Sequence, residues 1–388
     1  MKQESSLLKH IEAKFEALYQ NTPRLFLAPG RINIIGEHTD YNDGFVLPAA
    51  IDKHIAFAVA KNDLNCFRFY SMDFHELEEV NCLELGQDIK LWAQYLIGVL
   101  AQFEKIGKLD SGFDMVFGGN IPVGAGLSSS AALECGLAKA VNVLSNLQLS
   151  DIDLVKLAQK AEHEYAGVMC GIMDQYASVF GKKNQVFKLD CRDNTHQYFP
   201  LELHDYELLL INTNVKHSLA SSEYNLRREE CERGVQYFKT FDSNITALRK
   251  VSLEMIEAHE DKPDPVSYKR SKYMVEEIAR VGQATQALAN HDLKTLGQLL
   301  YQTHDGLSKL YEVSCPELDF LVDLTRPLNQ ILGSRMMGGG FGGCTLNLIK
   351  KSFVSEFKEI VDMAYEKQFS KKPDFYEVHL SDGAREVF

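Results

Sequence analysis

The chain has 388 residues, which is long for one compact core and sufficient for two domains. Its hydrophobic fraction of 45% and its charged fraction of 24% are those of an ordinary globular protein. The formal net charge of -13 argues against a nucleic-acid partner, since no basic stripe offsets it, and no apolar run approaches the ~20 residues that a membrane span requires. We therefore expect a cytoplasmic monomer that binds small molecules, with no nucleic-acid or membrane partner.

The apolar periodicity predicts a mixed order of helices and strands. Leu7, Leu8, Ile11 and Phe15 are spaced as one face of an opening amphipathic helix. Further helices are predicted at 92–105, 128–146 and 151–168, and over most of the charged stretch 221–312. Strands are predicted at 24–28, 45–60, 65–72, 113–117, 185–190, 207–213, 345–349 and 376–380. A break at 263–265 is expected to be a surface loop between helices.

Mixed strands and helices with a helix-rich middle indicate an α+β protein of two domains. A shift in composition alone sets the boundary near residue 195, so that the first domain covers 1–195 and the second covers 196–375. The tail 376–388 is expected to pack back on the first domain. The eight cysteines form no C-x-x-C pair, which indicates reduced thiols.

The first segment with chemical content covers residues 28–44, where Arg31 follows a Pro-Gly turn and Glu37, His38 and Asp40 crowd a short polar stretch. Carboxylates accept hydrogen bonds from sugar hydroxyls and an imidazole donates or accepts, so these groups together can bind a polyol. Taken singly, each also fits an ordinary surface, core or turn position. A zinc site is the other interpretation, although no H-E-x-x-H motif or matched Cys/His pair supports it.

The second segment, from Pro122 to Glu134, is a glycine turn that leads into a serine-opened helix. Such a turn brings several backbone N–H groups and the positive end of the helix dipole to one point, which is a phosphate cradle. The serine hydroxyls add donors and a candidate Mg²⁺ ligand. The segment is not the common P-loop, because no Lys-Ser or Lys-Thr pair closes it. Considered alone, it is explained equally well as a capped helix after a turn.

The third segment contains Asp174 among apolar residues, after Cys170 and Gly171, and Glu162 precedes it in a predicted helix. An uncompensated carboxylate in such a setting is costly. The structural interpretation is therefore a helix cap or a buried ion pair. The functional interpretation pairs Asp174 with Arg31 at a reacting hydroxyl.

The fourth segment covers residues 333–344 and contains the glycine cluster 338–343, in which Gly338, Gly340 and Gly343 satisfy G-x-G-x-x-G. A dinucleotide site needs a helix after this motif, whereas residues 345–349 are predicted to form a strand. We therefore reject a dinucleotide site and predict a backbone loop that needs positive φ or close approach to a ligand.

In combination the four segments resemble the GHMP kinases, the family of the galactokinases and of homoserine, mevalonate and phosphomevalonate kinases. The second segment is similar to the nucleotide loop of the family and the fourth to its glycine-rich third motif. Residues 36–42 with 46–48 resemble the galactokinase signature. Further matches lie, in order along nearly the whole chain, at 171–175, 222–228 and 381–385. Departures such as Met337 for a frequent Thr and Tyr273 for a frequent His are expected to touch none of the proposed sugar or catalytic residues, although Met337 would remove one hydroxyl near the phosphates.

The resemblance implies the two-domain GHMP architecture with the active site in the inter-domain cleft, and Mg²⁺-dependent transfer of the γ-phosphoryl group of ATP to the C1 hydroxyl of galactose. The residues that it implies for galactose binding are Glu37, His38, Thr39, Asp40, Gly171 and Tyr224. Those that it implies for the ATP phosphates are Gly124, Ala125, Gly126, Leu127, Ser128, Ser129 and Ser130. Those that it implies for Mg²⁺, directly or through water, are Ser130 and Glu162. Asp174 would face the C1 hydroxyl as base or orienting anion, with Arg31 between it and the γ-phosphate.

Two other functions stay open. A related kinase could act on N-acetylgalactosamine, arabinose or a uronic acid, although the intact run Glu37-His38-Thr39-Asp40 favours galactose. A galactokinase-like sensor could bind sugar and ATP and regulate a partner without catalysis. Loss of residues in the phosphate loop would mark a sensor, whereas residues 128–132, Arg31 and Asp174 are all present.

Overall fold

The computed structural model describes residues 2–64, 66–81, 89–109, 111–122, 124–215, 220–259 and 264–387. The strands in these ranges are β1 (Arg24–Asn33), β2 (Phe45–Val46), β3 (Pro48–Asn62), β4 (Phe67–Ser71), β5 (Glu76–Val80), β6 (Gly112–Gly119), β7 (Gln185–Asp190), β8 (Thr195–Pro200), β9 (Tyr206–Asn212), β10 (Ile331–Met336), β11 (Cys344–Lys350), β12 (Asp374–Val378) and β13 (Arg385–Val387). The α-helices are α1 (Lys2–Tyr19), α2 (Leu91–Lys105), α3 (Ser129–Leu144), α4 (Asp151–Ala161), α5 (Met173–Phe180), α6 (Ala220–Lys239), α7 (Leu253–Glu257), α8 (Pro265–Ala289), α9 (Leu293–Gly306), α10 (Pro316–Thr325) and α11 (Val354–Phe369). The predicted α+β class is confirmed.

The first sheet has six strands in the order β13-β1-β3-β6-β4-β5, antiparallel except where β4 pairs with β6. Helix α1 covers one face, where Phe15 packs against Ala56. Helix α3 packs on the other face, against β1 and β3. Because both faces are buried, β3 carries a nearly continuous apolar run at 55–60 instead of a strict alternation.

The second sheet runs in the order β10-β11-β9-β12 and is antiparallel throughout. Helices α10 and α11 share a buried cluster with it that includes Leu321, Phe357 and Tyr365. A third sheet has the order β2-β7-β8. Near the end of the chain β12 pairs with β9 and β13 pairs with β1, so the tail crosses from the second sheet to the first.

The observed elements differ from the predicted ones at several bounds. Strand β8 pairs with β7, so a domain boundary at 195 would divide a hairpin. The domain division stays a prediction, and this pairing favours a point after residue 200. The helix predicted at 128–146 begins at Ser129, because Ser128 has left-handed backbone angles and its side chain does not cap the helix. The helix predicted at 151–168 is α-helical only to Ala161 and continues as a π-helical turn at Glu162–Ala166.

Some predicted features fall partly outside the described residues. Residue 263 of the break predicted at 263–265 lies outside them, whereas Asp264 caps α8 by accepting hydrogen bonds from the N–H groups of Val266 and Ser267. The seven cysteines within the described ranges are free thiols. Among the described helices, none combines the length and the apolar character that crossing a bilayer requires.

Candidate active site

The sugar-signature segment (residues 34–44) follows β1 and closes into a tight turn. Gly36 has φ +102, and a Cβ atom there would lie 2.6 Å from the carbonyl oxygen of Phe45, so only glycine fits. Thr39 Oγ1 donates to the carbonyl oxygens of Gly36 and Phe45 at 3.0 and 2.6 Å. The structure therefore gives the Thr39 side chain a turn-closing role, and its sugar contact stays a prediction.

Two adjoining cavities collect most of the residues that the sequence singled out. The smaller, of about 120 Å³, is lined by five of the six predicted sugar residues, namely Glu37, His38, Asp40, Gly171 and Tyr224. The larger, of about 350 Å³, is lined by the phosphate-loop residues Gly124, Gly126, Leu127, Ser128, Ser129 and Ser130. Ala125 of the same loop is fully buried. The residues common to both linings are Arg31, Val168, Asp174, Tyr224 and Gly339.

The carboxylate of Glu37 is held by Arg335, a β10 residue without a predicted role. Arg335 Nη2 donates to Glu37 Oε1 at 2.9 Å, and these side chains are 0% and 2% exposed. The guanidinium also donates to the carbonyl oxygens of Asn33 and Ile34 at the end of β1. Gly338 N donates to the same Oε1 at 2.8 Å. Within the part of the chain that the structure describes, both of these donors bond to Oε1, so the other carboxylate oxygen can accept a hydrogen bond from a ligand.

A second buried residue, Glu277 of α8, holds the backbone of the same segment. Gly36 N donates to Glu277 Oε1 at 2.8 Å, and the Thr303 hydroxyl and Arg280 Nε donate to Oε2 at 2.9 and 2.7 Å. The Glu277 side chain is fully buried, and the adjacent guanidinium compensates its charge. Sequence reasoning missed both this glutamate and the arginine of β10, because neither local pattern distinguishes the residue from a charged side chain on a solvated face.

Asp40 lies against the backbone of Gly171. A Cβ atom at Gly171 would be 1.8 Å from Asp40 Oδ2, so a larger residue would displace the carboxyl group. Asp40 Oδ1 accepts a hydrogen bond from Tyr41 N at 3.0 Å. Burial, followed by the nearby charge of Asp174, raises the pKa of Asp40 to about 7. The group is therefore divided between its ionised and protonated forms near neutral pH.

His38 is surrounded by three tyrosine rings. Its ring centroid lies 5.2 Å from that of Tyr224, 4.9 Å from that of Tyr311 and 5.8 Å from that of Tyr41. Burial lowers the pKa of His38 to about 4, so the imidazole is neutral at neutral pH. Burial also raises the pKa of Tyr224 well above its usual value, so its phenol keeps its proton.

Arg31 and Asp174, which the sequence analysis paired, form a bidentate ion pair with Nε–Oδ1 and Nη2–Oδ2 distances of 2.8 and 2.9 Å. Arg31 Nη1 donates to the carbonyl oxygen of Gly126, and the Ser128 hydroxyl donates to Asp174 Oδ2, both at 2.5 Å. Burial alone would lower the pKa of Arg31, but the charges of Asp174 and Glu37 outweigh it and raise that pKa. The pair is thus bonded directly to the phosphate loop.

The phosphate loop and the glycine cluster face each other across the larger cavity. Gly124 and Gly126 have φ of 75 and 73, which shapes the turn before α3. Positive φ is found, as predicted, at Gly338, Gly340, Gly342 and Gly343. Strand β11 follows the cluster directly, which agrees with the rejection of a dinucleotide site. The side chain of Met337 is buried in the core. Tyr273 Oη donates to the Glu37 carbonyl oxygen at 3.0 Å, so the expectation that this departure touches none of the proposed sugar residues is wrong.

Glu162, a predicted Mg²⁺ residue, is buried in the π-helical turn after α4. Its Oε2 accepts a hydrogen bond from Gln175 Nε2 at 2.5 Å, and the Ser130 hydroxyl also bonds to the carboxylate. Burial, followed by the charge of Asp174, raises the pKa of Glu162 to about 7. Beside it, the buried Gln175 Oε1 has no hydrogen-bond partner among the described residues.

These donors fit Mg²⁺ better than a metal that needs an all-protein cage. The described residues contain no cluster of three or more His, Cys, Asp or Glu side chains able to hold a metal. Mg²⁺ characteristically takes only one or two carboxylates and completes its shell with water and substrate phosphates. A carboxylate and a hydroxyl beside a phosphate loop match that donor set.

Family models match three parts of the chain. The model described as GHMP kinases N terminal domain matches residues 94–182, and the model described as GHMP kinases C terminal matches residues 284–366. A third model, described as Galactokinase galactose-binding signature, matches residues 13–61.

Similar proteins cover nearly the whole chain. The galactokinase of Thermotoga petrophila is 43% identical over 360 residues, which are 93% of this chain and 99% of that protein. The galactokinase of Clostridium acetobutylicum is 37% identical over 98% of this chain and 99% of its own length. The crystal structure of Lactococcus lactis galactokinase complexed with galactose has a TM-score of 0.94 at 34% identity and covers 98% of this chain and 100% of that one. A mevalonate kinase structure at 18% identity and TM-score 0.59, covering 92% of this chain and 99% of its own, shares the fold alone. The chain belongs to the galactokinase family of the GHMP kinases.

Proposed function

We propose that the chain is a galactokinase, which phosphorylates the C1 hydroxyl of D-galactose with ATP to give galactose 1-phosphate and ADP. The observation that carries this proposal is that Arg31 and Asp174 line both cavities. A sugar in the smaller cavity and a triphosphate in the larger one would meet at this pair. The similarity to the Lactococcus lactis galactokinase, whose structure is described as complexed with galactose, supports the choice of sugar.

Asp174 is proposed to accept or orient the C1 hydroxyl proton. Its carboxylate has about four acceptor positions, of which the Arg31 and Ser128 contacts use three. One position is left for a substrate hydroxyl, on a side chain that is 27% exposed. General-base action of this kind contributes about 10²–10⁴ in rate.

Arg31 is proposed to neutralise charge on the transferring phosphoryl group. A guanidinium has about five N–H donors, and the contacts to Asp174 and Gly126 use three of them. The remaining donors are on nitrogens already fixed in direction by those contacts. Phosphoryl transfer needs little covalent chemistry from the protein, so a pre-oriented cation beside the acceptor hydroxyl contributes chiefly by position and charge.

The phosphate loop and the N-terminus of α3 are proposed to hold the ATP phosphates. Of the charged side chains lining the smaller cavity, Arg31 is cationic, whereas the carboxyl groups are those of Glu37, Asp40, Glu162 and Asp174. ATP would bring further negative charge to this setting, which a divalent cation would offset. Ser130 and Glu162 would hold Mg²⁺, directly or through water, and the ion would neutralise charge on the β- and γ-phosphates.

The first test is an ADP-coupled assay with Mg²⁺ that compares galactose with N-acetylgalactosamine, arabinose, glucose and galacturonate. Turnover mainly on galactose is expected. Turnover mainly on another sugar would leave the proposed phosphoryl transfer unchanged but would mean that the smaller cavity binds that sugar instead of galactose. Absence of turnover on all five, with galactose still raising the Tm, would favour the sensor function.

The second test is Asp174→Ala, with Asp193→Asn as a control for loss of one carboxylate elsewhere. We expect the Asp174 variant to remain folded by circular dichroism and to lose at least about 10²-fold in kcat. Near-normal turnover would remove Asp174 from the proposed mechanism while leaving the sugar assignment to the first assay.

A further inference from the structure

Behind the sugar cavity, four side chains form a continuous hydrogen-bonded row. His38 Nδ1 lies 2.7 Å from Tyr41 Oη, Tyr41 Oη lies 2.7 Å from Tyr311 Oη, and Tyr311 Oη lies 3.1 Å from Cys231 Sγ. His38 is 3% exposed, Cys231 2% and Tyr311 0%. Three separate parts of the chain supply the row, because Tyr311 ends the π-helical turn after α9 and Cys231 lies in α6.

The other ring nitrogen sets the direction of the protons. His38 Nε2 lies 3.2 Å from the carbonyl oxygen of Gly339, which can only accept, so Nε2 carries the hydrogen. In a neutral imidazole Nδ1 is then an acceptor and takes its hydrogen bond from the Tyr41 hydroxyl. The Tyr41 oxygen in turn accepts from Tyr311, and the Tyr311 oxygen accepts from the Cys231 thiol.

The protonation states of the row leave the imidazole able to accept a hydrogen bond and leave each hydroxyl and the thiol a proton to donate. Burial lowers the pKa of His38 to about 4 and raises that of Cys231 to about 11, so the imidazole is neutral and the thiol protonated near pH 7. Burial also raises the pKa values of Tyr41 and Tyr311 well above their usual range. A thiol suits this position, because its S–H group can donate to Tyr311 while the sulfur, a weak acceptor, takes a hydrogen bond from the Asn42 side chain.

We propose that Tyr41, Tyr311 and Cys231 are positioning residues that, together with the Gly339 carbonyl oxygen, fix His38 as its Nε2–H tautomer, so that the sugar cavity presents a hydrogen-bond donor to one galactose hydroxyl. The sugar part of this inference rests on the proposed function, whereas the tautomer does not. A hydroxyl that accepts from Nε2–H keeps its own proton for a neighbouring carboxylate such as Glu37 or Asp40. An imidazole in the other tautomer would compete with those carboxylates for that proton.

The expected rise in the galactose KM depends on whether His38 Nε2–H has another acceptor when the sugar hydroxyl is absent. When the sugar hydroxyl is missing, the Nε2–H group still has the Gly339 carbonyl oxygen at 3.2 Å and is not left unsatisfied. Removing the hydrogen bond between His38 Nε2–H and the sugar hydroxyl therefore costs the binding energy of one ordinary hydrogen bond. We expect it to raise the KM for galactose about three- to tenfold and to leave kcat and the KM for ATP within about twofold.

The decisive experiment is ¹⁵N NMR of histidine-labelled, sugar-free protein, with His38 assigned by the signals lost in His38→Gln. The wild type should show a pyridine-type Nδ1 and a pyrrole-type Nε2. Tyr41→Phe should move both nitrogens toward a mixture of tautomers, and Cys231→Ala should do so to a smaller degree. Cys231→Ser, which keeps a donor, should restore the wild-type pattern.

Kinetics with monodeoxygalactoses then test the sugar contact. In the wild type, the deoxygenation that removes the His38 partner should raise KM, and in Tyr41→Phe this additional penalty should largely vanish. Tyr365→Phe is the matched control, since it removes a buried hydroxyl that donates to the Thr213 carbonyl oxygen at 2.8 Å in a different cluster. It should leave the His38 signals and the galactose KM unchanged.

Two results would overturn the proposal. One is a pyrrole-type Nδ1 at His38 in the wild type. The other is Tyr41→Phe with unchanged His38 nitrogens and an unchanged galactose KM. If galactose proved not to be the substrate, the NMR result on the sugar-free protein would still decide the tautomer.

Discussion

Replacement of Asp40 by Asn should stabilise the sugar-free protein at alkaline pH while removing its affinity for galactose. Burial and the charge of Asp174 raise the pKa of Asp40 from an ordinary 3.8 to about 7. At about 1.36 kcal/mol for each pH unit between the two values, the ionised group destabilises the fold by at most about 4 kcal/mol. Asp40 borders a cavity where water screens its charge, so we expect a gain of about 1–3 kcal/mol.

The pH dependence of this gain has a definite sign. The folded protein binds the Asp40 proton more tightly than the unfolded chain, so this group makes stability fall as pH rises from about 4 to about 7. The amide of Asp40→Asn does not titrate. The stability gain should therefore be complete above pH 7, less than half as large at pH 5, and absent below about pH 4.

Urea unfolding of both proteins at pH 8 and pH 5, without ligands, measures the gain. For a chain of this length 1 kcal/mol shifts Tm by only roughly 1 °C, so the urea midpoint is the sharper observable. Galactose should no longer protect the variant against unfolding. Asp193→Asn is the control, because its hydrogen bond from Thr195 lowers the pKa of that carboxyl and its removal should not stabilise. A destabilised Asp40→Asn at pH 8, or an equal gain at both pH values, would refute the reasoning.

Three further substitutions test the site. Arg335→Met leaves the buried Glu37 charge unpaired and should lower the free energy of unfolding by about 3–5 kcal/mol in urea titrations. Adding Glu37→Gln to this variant should recover part of the lost stability. If the stability changes of the two substitutions simply added, the pairing would be contradicted. Gly171→Ala should abolish galactose-induced thermal stabilisation but retain that by ATP, because the new methyl group overlaps Asp40; unchanged galactose protection would show that the carboxyl group is placed elsewhere. Tyr224→Phe should raise the galactose KM about three- to tenfold in steady-state assays, and an effect confined to the ATP KM would show that its hydroxyl faces the nucleotide.

Local sequence patterns predict those parts of the site that local backbone chemistry determines. The positive φ of the glycine cluster follows from residue type, and so does the turn before α3. The pairing of Arg31 with Asp174 was also predicted, although the two lie 143 residues apart, because an isolated carboxylate among apolar residues needs a cation. The prediction that Ser128 caps the N-terminus of α3 is wrong. Its residue type favours an N-cap, but its hydroxyl bonds to Asp174 and its backbone is left-handed.

The supports of the sugar-signature segment could not be predicted from local pattern. Arg335 and Glu277 meet that segment across 298 and 241 residues of chain, and no spacing rule links them to it. Each is a charged residue within a strand or helix, which sequence reasoning assigns to a solvated face by default. Only the contact of β10 and α8 with the sugar-signature segment turns these charges inward.

The two halves of the chain supply different parts of the site, which predicts which substitutions affect kcat and which affect the KM for galactose. The groups proposed for chemistry, Arg31 and Asp174, are bonded to the phosphate loop of the N-terminal half through Gly126 and Ser128. The groups that hold the sugar segment come from the C-terminal half, where Arg335 pairs with the Glu37 carboxylate and α8 holds the backbone of the turn. A change in the C-terminal supports alters the shape of the sugar cavity before it alters the reacting pair. It should therefore appear first in the KM for galactose, whereas a change at the Arg31–Asp174 pair should appear first in kcat.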